Sequence, residues 1–277
     1  MEELSPGPIG VFDSGYGGLT VYRSIASLLP QYDYLYLGDN ARAPYGPRSF
    51  QTIYEYTWHC VQELFRRGCR LVILACNTAS AKALRSIQQQ QLPQSPEYRR
   101  VLGVLRPTTE QAGAFTSTGN LGIMATQGTV SSDSYAIEID HFFPEVKVFQ
   151  QSCPMWVPLV EYGEAEGPGA DFFVEQYLNE LWGQSGEIDA ILLACTHYPL
   201  LTPKIRLYLP ESVRVIEQGP LVAERLRDYL MRHPRLEACC SKNGTEQFIT
   251  TDAPEQFGEK ASLFLGRPVQ ASYWHGE

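Results

Sequence analysis

Two cysteines stand out because each closes a similar stretch of chain. Arg70-Leu-Val-Ile-Leu-Ala-Cys76-Asn-Thr78 and Asp189-Ala-Ile-Leu-Leu-Ala-Cys195-Thr-His197 both run as an apolar strand into Ala-Cys, then into small polar residues. A thiol at a strand end beside a helix amino terminus feels the positive end of the helix dipole, which makes thiolate available near neutral pH. Asn77 and Thr78 offer donors beside the first thiol, and Thr196 and His197 beside the second. Donors at helix starts also hold carboxylates. Asp13 and Ser14 close an earlier strand and would point to the same edge. Two acid/base thiols with a carboxylate and an imidazole close by meet the requirement for inverting a stereocentre. One base removes the proton from carbon while the other delivers one from behind. Chance likeness would account for the aliphatic letters alone; the shared Ala-Cys with polar followers points to a paired site.

The elements that must position these residues read as α/β. Apolar runs alternate with amphipathic stretches at short intervals, as in a sheet wrapped by helices. Strands are expected at Ile9 to Phe12, Tyr34 to Leu37 and Leu71 to Ala75, each followed by polar or glycine-rich turns such as Asp13 to Gly18 and Ala43 to Pro47. Ser49 is placed to cap a helix in which Phe50, Ile53, Tyr54, Trp58, Val61, Leu64 and Phe65 recur at three- and four-residue steps. The helix after Cys76 runs into Gln88 to Gln91 and Pro93, which reads as a frayed polar end. A second block begins near Val101, with strands at Leu121 to Ala125, Val146 to Phe149 and Ile188 to Ala194. The tail from Glu217 reads helix, strand (Gln247 to Thr250), helix, strand (Val269 to Ala271). Near-continuous apolar strands fit a parallel sheet covered on both faces. In such sheets ligands sit at the carboxyl ends of the strands, where both cysteines fall.

Composition narrows the chemistry further. The 277 residues are 44% hydrophobic and 19% charged, enough chain for one large α/β unit or two domains. Asp plus Glu total 31 against 22 Lys plus Arg, a formal net charge of −9, which argues against a phosphate-tracking nucleic-acid binder. No apolar run approaches the roughly 20 residues of a membrane-spanning helix. The first residues, MEELSPGP, are acidic and lack a signal-peptide core. The expectation is a soluble cytoplasmic protein. Of seven cysteines, Cys60, Cys69, Cys153, Cys239 and Cys240 read as small buried hydrophobes. No CxxC pair occurs, and nothing near Cys195 and His197 completes a four-ligand set, so no metal is expected. Gly15-Tyr-Gly17-Gly18 after a strand suggests a dinucleotide fingerprint with Asp39 at the ribose. Thr20 at the third glycine position, and the negative charge of Asp13, count against it. No P-loop or Gly-x-Ser-x-Gly is present, and none of the five lysines has an obvious Schiff-base setting. No cofactor is expected.

Four motifs together carry a resemblance. Phe12-Asp13-Ser14-Gly15-x-Gly17-Gly18, Gly38-Asp39 with Pro44-Tyr45-Gly46, Ala75-Cys76-Asn77-Thr78-Ala79-Ser80, and Ala194-Cys195-Thr196-His197-Tyr198-Pro199-Leu200 occur in that order. With Cys153-Pro154 and Val157 to Glu161, they are similar to the signatures of glutamate racemases, in the cofactor-independent aspartate/glutamate racemase superfamily. The resemblance implies two similar α/β domains with mainly parallel sheets related by a pseudo-twofold axis, and an active site in the cleft between them. Residues 1–100 with 217–277 would form the first domain and residues 101–216 the second. Carried over residue by residue, Cys76 would act on the α-proton of D-glutamate and Cys195 on that of L-glutamate, with Asp13 and His197 assisting. Glutamate would be held by Asp13, Ser14, Tyr45, Gly46, Asn77, Thr78, Thr196 and His197. Glu161 would lie behind His197, and the stretch from Thr126 to Thr129 would add a hydroxyl. The resemblance also implies a homodimer that works without metal or cofactor and supplies D-glutamate for peptidoglycan.

The chain departs from the family pattern at two places. Val104-Leu105-Arg106-Pro107 stands where Val-Ile-Glu-Pro is common, a charge reversal near the domain junction, and Ala194 replaces a common glycine. Rival readings are an aspartate or hydantoin racemase, a one-thiol decarboxylase, and a binding protein that has kept the fold. The second cysteine argues against the one-thiol relative, and the intact thiols with Asp13 and His197 argue against a degenerate site.

Overall fold

The computed structural model describes residues 5–95 and 98–275; Met1 to Leu4 of the acidic amino-terminal stretch lie outside the described residues. Among the described residues ten strands are formed in chain order: β1 (Ile9–Asp13), β2 (Tyr34–Gly38), β3 (Leu71–Leu74), β4 (Arg100–Gly103), β5 (Asn120–Ala125), β6 (Lys147–Ser152), β7 (Ala190–Ala194), β8 (Arg214–Ile216), β9 (Glu246–Thr250) and β10 (Ser272–Tyr273). They build two sheets, one of order β10-β9-β2-β1-β3-β4 and one of order β6-β5-β7-β8, with every pairing parallel. The α/β expectation is borne out. The chain divides into two compact units, one up to Val104 and again from Gly219, the other Leu105–Gln218.

The boundaries fall later than the sequence suggests. β4 follows the polar stretch after Gln88 and looks like the opening of a new block, yet it ladders onto β3 with Leu71 opposite Arg100 and Leu74 opposite Gly103. The first unit therefore runs through Val104 rather than ending at residue 100, and the return crossing lies at Gln218/Gly219. The glutamine run is not a frayed end. Ile87–Gln91 forms a wide helical turn, in which the Gln88 amide donates to the Val101 carbonyl (2.8 Å) and the Gln91 amide to the Tyr54 hydroxyl. The last strand forms at Ser272–Tyr273 rather than at 269–271. The buried Val269 is held instead by its N–H on the Ser262 hydroxyl (3.1 Å), so pairing with β9 begins only at Ser272.

The interior strands β1, β2, β3, β5 and β7 are buried along their full lengths, as expected where helices cover both faces. The helix Phe50–Arg66 starts at Ser49, whose hydroxyl accepts from the Thr52 N–H (3.2 Å). It buries Ile53, Cys60, Val61, Leu64 and Phe65 against the core that also holds Phe12, Leu35, Leu37, Val72 and Leu74. No helix among the described residues is long and apolar enough to cross a membrane.

Gly18 is among the glycines in this frame that space demands. A Cβ on Gly18 would stand 2.6 Å from the Asp13 Cβ and 3.0 Å from the Ala75 Cβ, where the end of β1 meets the step before Cys76. Gly18→Ala must therefore push Asp13 off its position. We expect a loss of stability of about 1–3 kcal/mol, measured by urea denaturation, with a lowered transition midpoint and unchanged slope.

Candidate active site

The two Ala-Cys steps occupy the same place in their respective sheets. In the first unit, Phe12 of β1 pairs with Leu74 of β3, and the Ala75 N–H donates to the Phe12 carbonyl (2.8 Å). One residue later the backbone brings Ser14 and Cys76 side by side, with Oγ and Sγ 3.3 Å apart. In the second unit, Ala125 of β5 pairs with Ala194 of β7, so Thr126 and Cys195 follow at the same register. Each thiol is thus carried by the neighbour of a central strand, at its carboxyl end. The repeat seen in the sequence is a repeat in the sheets.

Cys76 is the N-cap of the helix Asn77–Lys82, and its sulfur accepts from the Ala79 N–H at 3.4 Å. A backbone donor and the Ser14 hydroxyl therefore both reach a thiol that is only 5% exposed. Asp13, also buried, turns its carboxylate back to accept from the Gly15 N–H (2.9 Å). Burial, and then the nearby Asp13 and Cys76, pushes the Tyr36 phenol well above its ordinary value. It stays protonated and donates to the Gly15 carbonyl (3.3 Å). Asn77 and Thr78 are buried in the first helical turn after the thiol.

Cys195 has different surroundings. The expected helix start is replaced by a tight turn at Tyr198–Leu201, and the helix proper begins only at Thr202. Its partner is an imidazole: His197 Nδ1 stands 3.9 Å from the sulfur, and His197 Nε2 stands 2.9 Å from Glu161 Oε1. Burial alone would lower the His197 pKa. The bonds to Cys195 and Glu161 outweigh it and push the value up to about 10. The ring is then a cation at neutral pH that donates to the carboxylate on one side and faces the thiol on the other. Glu161 ends the short helix Trp156–Glu161, which is anchored by the fully buried Trp156 packed edge-on against Tyr198 at 4.8 Å. The Tyr198 hydroxyl in turn donates to the Cys153 carbonyl (3.1 Å). Thr126 caps the short helix Gln127–Val130 through its hydroxyl and bonds the Thr129 hydroxyl at 3.1 Å. Thr196 is buried beside Cys195.

The other five cysteines are buried too, so burial does not set Cys76 and Cys195 apart. Nor does a polar partner alone, since Arg42 Nη2 lies 3.3 Å from the Cys60 sulfur. Burial pushes the Cys69 and Cys240 thiols up to about 12 and raises Cys60 and Cys153 well above the ordinary value. The Cys153, Cys239 and Cys240 sulfurs each donate to a main-chain carbonyl.

Tyr45 sits in the loop after β2 and is almost fully buried, and its hydroxyl is bound to the Asp39 carboxylate. Gly46 beside it is partly exposed. The group that ties this loop down includes Asp39, Arg42 and Thr251, which motif reading did not assign to the site. Asp39 carried a signal in the Gly38-Asp39 motif. Thr251 carried none, because its contact with Asp39 spans 212 residues of sequence. Arg106 is exposed at the start of the second unit, with its guanidinium 2.9 Å from Glu110, and touches none of these groups among its described contacts.

With this geometry in view, the sequence profile of the Asp/Glu/Hydantoin racemases matches residues 9–226, and the chain belongs to that family. Among its relatives, the glutamate racemase of Geobacter metallireducens is 38% identical over 93% of this chain and 92% of its own. The glutamate racemase of Roseobacter denitrificans is 39% identical over 95% and 98%. Among solved structures, a glutamate racemase isoform of Bacillus anthracis superposes with a TM-score of 0.87 at 31% identity, covering 97% of both chains. The Francisella tularensis glutamate racemase, crystallised with D-glutamate, gives 0.85 at 28% identity and 98% of both. An aspartate racemase of Picrophilus torridus, at 20% identity and a TM-score of 0.53, is alike in fold alone.

The His197 triad carries a pH signature. A cation whose pKa rises on folding stabilises the fold fully below its unfolded value, near 6.5, and that contribution fades as pH climbs towards 10. His197→Asn should therefore be most destabilised relative to the parent at pH 6, and the gap should close steadily by pH 10. Urea titrations across that range read it directly. Glu161→Gln should shift the same profile to lower pH by weakening the imidazolium.

Proposed function

We propose that the chain is a glutamate racemase that interconverts L- and D-glutamate with Cys76 and Cys195 as its two bases. The single observation behind this reading is the pair of Ala-Cys strand ends at equivalent register in two parallel sheets, each thiol with its own polar partners. The substrate assignment rests on the relatives, which are glutamate racemases along nearly their whole length.

In the direction from L-glutamate, the Cys195 thiolate takes the α-proton and leaves a carbanionic centre. The Cys76 thiol then delivers a proton to the opposite face, which gives D-glutamate, a Cys76 thiolate and a Cys195 thiol. The reverse direction exchanges the two roles. His197, a cation held by Glu161, places positive charge 3.9 Å from the Cys195 sulfur. Ser14 and the Ala79 N–H serve Cys76 by hydrogen bonding, with Asp13 as its carboxylate neighbour. The α-carboxylate and amino group fall to Asp13, Ser14, Asn77, Thr78, Thr196 and His197. Tyr45, Gly46 and the Thr126–Thr129 turn complete the binding set. No step requires metal or cofactor. We assign the enzyme to the cytoplasm as a homodimer that supplies D-glutamate for peptidoglycan.

The test begins with circular dichroism of L-glutamate and L-aspartate incubated with dialysed, EDTA-treated protein. Glutamate signal should decay and aspartate signal should not. In D₂O each enantiomer should gain one α-deuterium. Cys76→Ala and Cys195→Ala should each lower racemisation by at least about 10³-fold, since either direction needs both an acceptor and a donor. Each variant should still eliminate a β-substituted substrate of one hand, Cys195→Ala the D form and Cys76→Ala the L form. Substantial racemisation by both alanine variants would overturn the two-thiol assignment.

A further inference from the structure

The loop that carries Tyr45 and Gly46 is fastened from the far end of the chain. β2 ends at Gly38, and the next residue, Asp39, is completely buried, with its N–H on the Asp13 carbonyl (2.9 Å). A buried carboxylate is costly unless it is met by donors, and three reach this one. Arg42 Nε lies 2.9 Å from Oδ1, the Thr251 hydroxyl donates to the same oxygen at 2.9 Å, and the Tyr45 hydroxyl donates to Oδ2. Thr251 is not a passive neighbour. Its hydroxyl also accepts from the Ala41 N–H (3.1 Å), and its own N–H donates to the Gly38 carbonyl (3.1 Å). One residue thus grips the turn at Gly38, Asp39 and Ala41. Thr250 adds a fourth point, donating to the Asn40 side-chain oxygen (3.0 Å).

The Tyr45 hydroxyl is therefore spent inside the protein, and its ring is wedged between Phe12 and Tyr56. What remains for a carboxylate ligand is the main chain of Tyr45 and Gly46, whose placement depends on the Asp39 turn. We propose that Thr251 is a positioning residue for substrate binding, holding the 43–46 loop in its competent shape through Asp39. Thr251 lies outside the residues 9–226 that the family profile matches, so the site extends into the last segment of the chain. The proposal rests on the glutamate racemase reading for its kinetic arm only.

If Thr251 holds the loop, loosening it lowers the fraction of enzyme ready to bind and raises the apparent dissociation constant by that factor, while the bound complex is unchanged. Thr251→Val keeps the shape and removes the hydroxyl. We expect KM for glutamate to rise about five- to tenfold in both directions with kcat within about twofold. Thr251→Ser, which restores donor and acceptor, should return KM to near the parent. Tyr45→Phe cuts the same path on the other side of Asp39, so its KM effect and that of Thr251→Val should not add in the double variant. Amide hydrogen exchange at residues 40–48, without substrate, should be faster in Thr251→Val and normal in Thr251→Ser. This readout stands whichever amino acid the enzyme uses, so failure of the parent to racemise glutamate would discredit the substrate and leave the clamp measurable. If Thr251→Val cannot be folded, exchange and KM of Tyr45→Phe decide. Unchanged exchange, a KM within about twofold of the parent, or failure of serine to restore it would overturn the proposal.

Discussion

A parallel sheet covered on both faces can present polar chemistry only where its strands end, and that constraint organises this molecule. Between their polar ends, Asp13 and Asn120, the side chains along β1, β3, β5 and β7 are buried and committed to packing. Polar positions gather at the strand ends: Asp13 closes β1, and Ser14, Cys76, Thr126 and Cys195 lie just past the ladders. Their spacing is inherited from the register of the ladders, since neighbouring strands lie about 4.8 Å apart. The side chains need no private scaffold beyond the pairing of Phe12 with Leu74 and of Ala125 with Ala194.

Equivalent backbone does not mean equivalent chemistry. Cys76 stands at a helix start, where unsatisfied N–H groups point at it, and its helpers are dipoles. Cys195 precedes a tight turn, and a full charge replaces the missing helix: the His197 imidazolium with Glu161 behind it. One sulfur thus meets neutral hydrogen-bond partners and the other a cation. The symmetry of the repeat is thus kept in position and broken in electrostatics.

The polypeptide leaves the first unit at Val104 and returns at Gly219, so the sheet that carries Cys76 is completed by the last strands, β9 beside β2 and β10 beside β9. That return does more than close an edge. β9 delivers Thr250 and Thr251 against the turn that follows β2, where a buried carboxylate needs donors. Burial elsewhere has the opposite use. The low-dielectric interior keeps the Cys60, Cys69, Cys153 and Cys240 thiols protonated.

Local pattern determined the strands, because a run such as Leu71 to Leu74 can be stable only if buried on both sides, and its period is legible without a partner. It determined the capped helix from Ser49 and the place of both thiols at strand ends. It also marked His197 and Glu161 through motifs that resemble a known family. Tertiary structure decided what depends on distant residues. β4 looked like the start of a second block because only its ladder with β3 reveals its unit. The glutamines after Ile87 looked frayed because their acceptors, the Val101 carbonyl and the Tyr54 hydroxyl, are remote in sequence. The helix expected after Cys195 became a turn plus an ion pair with Glu161, 36 residues away. Tyr45 was legible as a loop residue, but the loss of its hydroxyl to Asp39, and the hold of Thr251 on that carboxylate, were not. Hydrogen bonds satisfy buried charge wherever a donor is near in space, and nearness across 212 residues leaves no periodicity to read.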